Sequence, residues 1–573
     1  MHYLLRLLMK RIIPSAAILC ITASAVAQQF QDQTATRFPS PNPAEWSNQL
    51  TLGDIDGDGD LDILFANGGN FSTPGTPLPQ RIFINDGSGH FTDESVARLN
   101  FLGLCRGVEL GDIDRDGDLD IIYAQDFQRQ PQLFENDGNG FFTSITNQLP
   151  QMALSSSRAQ FGDIENDGDL DIYITNGSTN RFGCGQYRVY VNDGTGSFTD
   201  ETATRHPIEN VCENMDCIFG DIDRDLDLDV KTSGTGTNNS RLYENDGTGV
   251  FSLLTTIPPD TTCYSYDFGD IDGDGDLDLI GANGLSGSSS EILLMNTGGG
   301  TFVDISSQIS PNPNQDDNDT KFFDYDNDGD LDMIIARLGT GGEKIYQNDG
   351  AGGFTLTSGV IQVVTDSSLD IAVGDLNGDG RLDIVTAQGE SGNFQNRIYM
   401  NTTGPADTIA PRIVKAERLF NTADTTGPYV VRAMILDDMS SDRNFFSTEA
   451  LVHYTVDGGP ELTVPMDYSG GQIYRGAIPG QPCGGMIQYS VSCTDFAGNT
   501  GSSTFSLFTV TGPGSPPGDL NQDCTVDPSD SIVFVAVLLG QDTDPVHVSG
   551  ADLDGSGIPD GGDIQPFINI LVP

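Results

Sequence analysis

Carboxylates recur in this 573-residue chain at a spacing that suits one kind of chemistry, the capture of a hard cation. In Asp54-Ile55-Asp56-Gly57-Asp58-Gly59-Asp60-Leu61-Asp62, aspartates stand at the first, third, fifth and ninth places with glycine at the sixth. The seventh residue, Asp60, can add its main-chain carbonyl. Six more runs follow the same plan: Asp112, Asp114, Asp116 and Asp120 with Asp118 at the seventh place; Asp163, Glu165, Asp167 and Asp171 with Asp169; Asp221, Asp223, Asp225 and Asp229 with Asp227; Asp270, Asp272, Asp274 and Asp278 with Asp276; Asp324, Asp326, Asp328 and Asp332 with Asp330; and Asp375, Asn377, Asp379 and Asp383 with Arg381. Ca²⁺ takes about six to eight oxygens from such a set, whereas Mg²⁺ prefers fewer protein oxygens and more water. Asp and Gly are also ordinary turn formers, but seven matches at four fixed places exceed what turn chemistry alone requires. Without a cation the carboxylates of each loop would repel one another. The expected cofactor is structural Ca²⁺, weakest at the fourth loop, where Leu226 replaces the sixth-place glycine and Lys231 interrupts the apolar strand that follows.

The formal net charge of −56 argues against nucleic acid or an anionic membrane as partner, because phosphate binding needs Lys and Arg. Residues 1–27 read as a secretory signal peptide: Arg6, Lys10 and Arg11 precede an apolar run, and Ala25-Val26-Ala27 is a small-residue cleavage site. A lipoprotein anchor at Cys20 is disfavoured by the bulk of Leu19. No other segment is long and apolar enough for a membrane span. Secretion or a cell-surface location follows, and in that oxidising compartment disulfides are allowed. The local pairs expected first are Cys483 with Cys493 and Cys212 with Cys217, while Cys105, Cys184, Cys263 and Cys524 have no obvious partners.

The loops need a scaffold that repeats with them. Their first carboxylates fall at 54, 112, 163, 221, 270, 324 and 375, a period of about fifty residues that suits four-stranded propeller blades. After each loop comes a continuous apolar strand such as Leu61 to Phe65, as expected for a sheet covered on both faces. A second signature, Arg81-Ile82-Phe83-Ile84-Asn85-Asp86-Gly87, recurs around Asn136, Asn192, Asn245, Asn296 and Asn348 and reads as strand, turn, strand. The seventh copy breaks off after Asn401 without its last strand. That strand is found at the other end of the chain, where Phe30 to Arg37 matches Phe198 to Arg205, so a ring closed by strand exchange is expected.

These residues resemble the FG-GAP/VCBS repeats of integrin-alpha-like propellers. The resemblance covers about residues 28–404 and implies a seven-bladed, Ca²⁺-binding β-propeller. Residues 405–512 carry short alternating strands and Thr494-Asp495-Phe496-Ala497-Gly498-Asn499, and look like the Ig-like or fibronectin-III-like β-sandwich modules of secreted bacterial proteins, read as a spacer. In 513–573 two loops of another type occur: Asp519, Asn521, Asp523, Thr525 and Asp530, then Asp552, Asp554, Ser556, Ile558 and Asp563, with the last carboxylate at the twelfth place. The apolar runs after them, Ile532–Leu539 and Phe567–Val572, read as helices. This pair is similar to a type I dockerin, an α-helical module of EF-hand loops, which implies a cohesin-like partner.

The fold class expected is therefore mainly β, with a small helical tail. His90, His206, His453 and His547 are scattered over different modules, and no nucleophile elbow, zinc-protease helix or phosphate loop appears. The reading is a non-enzymatic, secreted Ca²⁺-binding protein whose propeller recognises an extracellular protein or glycan and whose tail docks to a partner. A polysaccharide-degrading hydrolase or lyase on a propeller scaffold is the alternative, since paired carboxylates can cleave glycosides. Recognition is expected opposite the Asp loops, on connections that vary in length, above all Asn67–Gln80 and Asn176–Gln186.

Overall fold

The computed structural model describes residues 28–571 except 41, 70–72, 178–183, 236–239, 259–261, 284–289, 340, 390–393, 440–445, 512–517, 522 and 524, and not the side chains of 235, 262 and 446–449. The signal-peptide reading, the proline-rich stretch at 512–517, Cys524 and the middles of the two expected recognition loops lie outside the described residues.

The chain is mainly β, and each Asp loop joins the first and second strands of a four-stranded antiparallel unit. In the first these strands are Ser47–Gly53 and Asp62–Asn67, followed by Arg81–Asn85 and Phe91–Asp93. Five more repeat this order from first strands Cys105–Gly111, Ala159–Gly162, Asn214–Gly220, Thr262–Gly269 and Asp317–Phe323. The fourth and fifth are joined where Gly234 pairs with Cys263. The seventh starts at Ser368–Gly374 and takes its last strand from the chain's beginning: Phe30–Asp32 runs antiparallel to Arg397–Asn401, with Phe30 opposite Asn401. A one-turn helix follows, Thr34–Arg37, just as Thr202–Arg205 follows its twin Phe198–Asp200. The second strands are apolar throughout because both faces are covered; Ile63, Leu64, Phe65 and Ala66 have no exposed surface.

First strands stand side by side in chain order, and the seventh stands against the first. The glycine that ends most of them permits the close approach. A Cβ on Gly53 would lie 2.6 Å from Leu110 of the next sheet, one on Gly111 2.7 Å from Phe161, and one on Gly374 2.8 Å from Leu61 of the first, so the contact closes into a circuit. Side chains inside this circuit cap the amides of the neighbouring first strand. Asp370 Oδ2 accepts from Leu50 N–H at 2.8 Å, Gln49 Oε1 from Val108 at 2.7 Å, Asp267 Oδ2 from Phe322 at 2.7 Å and Asp319 Oδ2 from Ile371 at 3.0 Å. Inner-edge amides that no strand pairs are satisfied in this way.

From Arg412 to Thr509 eight strands form a curled antiparallel sheet whose ends share a core of Val431, Val452, Tyr474, Ile487, Val491 and Phe508. It is not strung out behind a free linker. Asp407 N–H donates to Gly380 O at 2.6 Å, Asp324 N–H to Asp438 O at 2.8 Å and Asp163 N–H to Ser469 O at 2.7 Å, so it is packed against the end of the seven sheets that carries the Asp loops. The tail holds three helices, Asp530–Leu538, Pro545–Ala551 and Ile564–Leu571, the first and third joined by Phe534 stacked on Phe567 at 4.2 Å. The middle one was not expected from the sequence; Asp544 caps it, accepting from Val546 N–H, with Pro545 at its first position. Among the described residues no helix is long and apolar enough to cross a membrane.

Both expected cysteine pairings are corrected. Cys184 is bonded to Cys212, because Gly185 pairs with Val211 and sets the two cysteines opposite one another with Cα atoms 4.2 Å apart. Cys217 lies in the Asn214–Gly220 strand with its thiol buried and free. Cys493 is likewise buried and free, and Cys483 is disulfide-bonded elsewhere.

Candidate metal centres

Each loop is held by its own first aspartate. Asp54 Oδ1 accepts from Gly57 and Asp58 N–H at 2.8 and 3.1 Å, and its Oδ2 from Gly59 N–H at 2.9 Å. The same sixth-place contact recurs at Asp112, Asp163, Asp221, Asp270, Asp324 and Asp375. The fifth-place acid accepts from the seventh residue's N–H, as Asp58 does from Asp60 and Asp379 from Arg381. With the backbone so turned, carboxylates converge. Asp54, Asp56 and Asp58, then Asp112, Asp114 and Asp120, Asp221, Asp223 and Asp225, Asp270, Asp272 and Asp278, and Asp324, Asp326 and Asp332 each bring one oxygen within 4.8 Å of the others.

The turn demands more than a sixth-place glycine. Fourth-place residues are left-handed too: Gly57, Gly273 and Gly378, but also Arg115, Asn166, Arg224 and Asn327, at φ between 55° and 77°. Leu226 adopts φ 74°, close to Gly380 at 75°, and the fourth loop keeps the contacts of the others. Lys231 is accommodated by lying over the Tyr266 ring, 3.8 Å from its centroid.

The ninth-place aspartate is buried and spans two elements. Asp62 Oδ1 accepts from Asn85 N–H at 2.8 Å and Oδ2 from Ile55 N–H at 3.3 Å, and the pattern repeats to Asp383 with Asn401 and Leu376. Burial pushes these carboxyls far up, to about 8 at Asp62, Asp120 and Asp278 and to about 9 at Asp171 and Asp332. Burial likewise raises the first-place Asp163 and Asp324 to about 6 and Asp221 to about 7. A donor set made only of oxygens, with protons favoured on several of them, fits a hard divalent cation, whose charge would hold them ionised.

Asparagines of the second signature do work that the turn reading missed. Asn136 Nδ2 donates to Leu119 O of its own loop at 3.1 Å and to Ile55 O of the preceding sheet's loop at 2.8 Å, while its Oδ1 accepts from Gly140 N–H at 2.9 Å. Asn85, Asn192, Asn245, Asn296 and Asn348 repeat this bridge. Tyr325 O in the sixth loop instead receives Gln29 Nε2, at 2.7 Å, from the exchanged segment. The recurrence of one Asn at the same place of the turn signature behind every loop was the signal for this role.

Basic side chains approach the loops from two directions. Arg98 and Arg205, from one-turn helices of the first and third sheets, pair with third-place Asp56 at 3.0 Å and Glu165 at 2.8 Å. From the curled sheet, Arg432 reaches Asp227 at 2.7 Å and Leu226 O at 2.9 Å, and Arg412 donates to Asp270 and to Gly273 O. In the tail, Asp530 and Asp563 are fully buried and accept backbone N–H groups with both oxygens, Asp530 from Leu520, Asn521 and Asp527 and Asp563 from Leu553, Asp554 and Asp560. Asp519 and Asp552 accept from Asp523 and Gly557 N–H, Thr525 and Ser556 N–H are bound by Asp523 and Asp554, and Ile558 O accepts the Ser556 hydroxyl.

The family described as FG-GAP-like repeat matches residues 54–123, 114–174, 233–281 and 324–386. No curated protein matches the chain. Among solved structures, the crystal structure of the V. cholerae biofilm matrix protein Bap1 is similar at 13% identity over 83% of this chain and 76% of that one, with a TM-score of 0.31, an overlap too loose to carry an argument. The Asp loops and the asparagine bridges thus lie within a chain that carries FG-GAP-like repeats.

Proposed function

We propose that the seven four-stranded units are the blades of a closed, Ca²⁺-dependent propeller that serves as the recognition head of a secreted, non-catalytic binding or adhesion protein. In this reading residues 28–404 are the head, 405–512 an Ig-like or fibronectin-III-like sandwich, and 513–573 a dockerin-like module that docks to a cohesin-like partner. The observation that carries it is the repetition of one Asp loop at the same end of seven sheets, six of the links between neighbouring loops being made by an asparagine and the seventh by Gln29. That arrangement makes the cations part of the ring's framework and leaves recognition of a protein or glycan to the opposite end. The first test is thermal melting of the full chain in Ca²⁺ and in chelator. Ions bound only by folded loops stabilise by mass action, about 2.7 kcal/mol per site at a free concentration of 100 Kd. Melting that is unchanged by chelator would sink the cation reading. Screening of the Ca²⁺-loaded chain against glycans, extracellular proteins and a cohesin panel tests the partners, and turnover of a polysaccharide would overturn the non-catalytic reading.

A further inference from the structure

At the end of the circuit opposite the Asp loops lies a cavity of about 140 Å³ that the loop chemistry does not use. Its wall is built from the beginnings of the first strands, among them Arg158, Asp216, Ser265, Asp319 and Asp370, all buried. Arg158 crosses the axis, its Nε 2.5 Å from Asp216 and its Nη2 3.8 Å from Asp370. Asp319 is 1% exposed and spends Oδ2 on Ile371 N–H, while its Oδ1 has no partner; the Ser265 hydroxyl, 5% exposed, has none either. Three carboxylates therefore share the floor with the Arg158 guanidinium, while the second guanidinium of the lining, Arg106, is paired with Asp126 at 2.7 Å, and two buried acceptors want a donor. The rim differs from the floor. Trp46, the single tryptophan of the chain, and Tyr264 stand there half-buried with Met215 and Leu338.

From this combination we infer that the cavity is a binding site for a cationic head on an apolar stem, an alkyl ammonium or guanidinium group, with Asp319 and Ser265 receiving its N–H groups and Trp46 flanking the stem. The inference deepens the recognition reading above and rests on it. An unpartnered carboxylate oxygen accepts and cannot donate, so an anionic ligand is excluded from the floor, and charge-assisted N–H···O contacts are the strongest a buried carboxylate can make. An aromatic rim adds cation–π attraction. The net charge of −56 draws cations toward the mouth from a distance. Such a head is carried by lysine and arginine side chains of a partner protein and by free polyamines.

The test uses Trp46 emission of the full chain in Ca²⁺ at fixed ionic strength, with calorimetry as a second readout. Blocked lysine and arginine amides stand for a protein's side chains, agmatine and spermidine for free amines, and blocked norleucine amide is the neutral control. A saturable response to either charged set within about 10 mM is expected, with the stronger set identifying the source. Asp319→Asn, which keeps an acceptor for Ile371 N–H, should weaken binding by about tenfold or more, and Ser265→Ala should weaken it less. Calcium-dependent melting of both variants should match the parent, which separates failure here from failure of the cation reading. No response to the charged probes, an equal response to norleucine amide, tighter binding of a neutral sugar, or parental affinity in both variants would overturn the inference.

Discussion

Asn136→Ala is the sharpest probe of how the sheets are held together. The side chain is 5% exposed and makes three hydrogen bonds: to Ile55 O at 2.8 Å in the first loop, to Leu119 O at 3.1 Å in its own loop, and from Gly140 N–H at 2.9 Å. Each is worth about 1 kcal/mol net, and stranding buried carbonyls raises the loss, so truncation should cost roughly 3–5 kcal/mol. Asn136→Asp keeps the shape but turns an acceptor toward two carbonyls, and should be no better than alanine. Asn401→Ala is the internal comparison: its carboxamide accepts from Gly404 N–H at 2.9 Å, while Tyr325 O, the carbonyl that the repeat would assign to it, receives Gln29 instead. That variant should lose less than half as much. Urea unfolding at saturating Ca²⁺ gives the numbers, with the slope checked so that midpoint shifts report stability. A loss below about 1 kcal/mol for Asn136→Ala, or equal losses at Asn136 and Asn401, would refute the bridge.

Three further outcomes follow from single sites. Leu226→Gly relieves about 1 kcal/mol of left-handed strain but gives up about 1.5–3 kcal/mol of burial at a residue only 2% exposed, so denaturant midpoints should show a net loss near 1 kcal/mol; a more stable variant would refute this balance. His206, packed 4.5 Å from Tyr243 with Tyr173 Oη 2.9 Å from its Nε2, is pushed down by burial to about 4. Its unfolded state therefore binds the proton first as pH falls below about 6.5, and stability is lost toward pH 4, by about 2 kcal/mol on reaching pH 5. His206→Gln should flatten that part of the pH–stability curve, and an unchanged slope would count against it. A chain lacking 28–37 loses the outer strand of the seventh sheet and the fully buried Phe30, and should melt without cooperativity or aggregate; an equally stable product would mean that the strand is dispensable.

Much of this was legible because it repeats. Seven spaced acid runs declared the loops, the fifty-residue period declared four strands per unit, and the match of Phe30–Arg37 to Phe198–Arg205 pointed to the exchange that Phe30 and Asn401 make. What stayed hidden was set by contacts between repeats. An Asn-Asp-Gly turn explains itself locally, so nothing in one copy says that Asn136 reaches Ile55 some eighty residues earlier. The left-handed fourth place was invisible because Arg115 and Arg224 occupy it without glycine. Cysteine pairing was misjudged for the same reason: nearness in sequence favoured Cys212 with Cys217, whereas strand alternation turns Cys217 inward and the Gly185–Val211 bridge delivers Cys184.

The placement of the curled sheet bears on which end of the circuit is free. Read from sequence, 405–512 was a spacer trailing from the seventh unit, and recognition was expected opposite the Asp loops only because the connections there vary in length. In the structure Asp438, Ser469, Arg412 and Arg432 meet the third, fourth, fifth and sixth Asp loops. That end is thus occupied twice over, by the acid clusters with their turns and by the chain's own following sheet. The opposite end carries the connections of unequal length and the cavity between Arg158, Asp319 and Trp46. Among the described residues, buried oxygens without a partner occur at both ends: carboxylate oxygens such as Asp56 Oδ1 and Asp326 Oδ1 in the Asp loops, and Asp319 Oδ1 and the Ser265 hydroxyl at the cavity. Unsatisfied buried groups persist where something repays them; at the loops a cation would do so, and at the cavity the proposed recognition would.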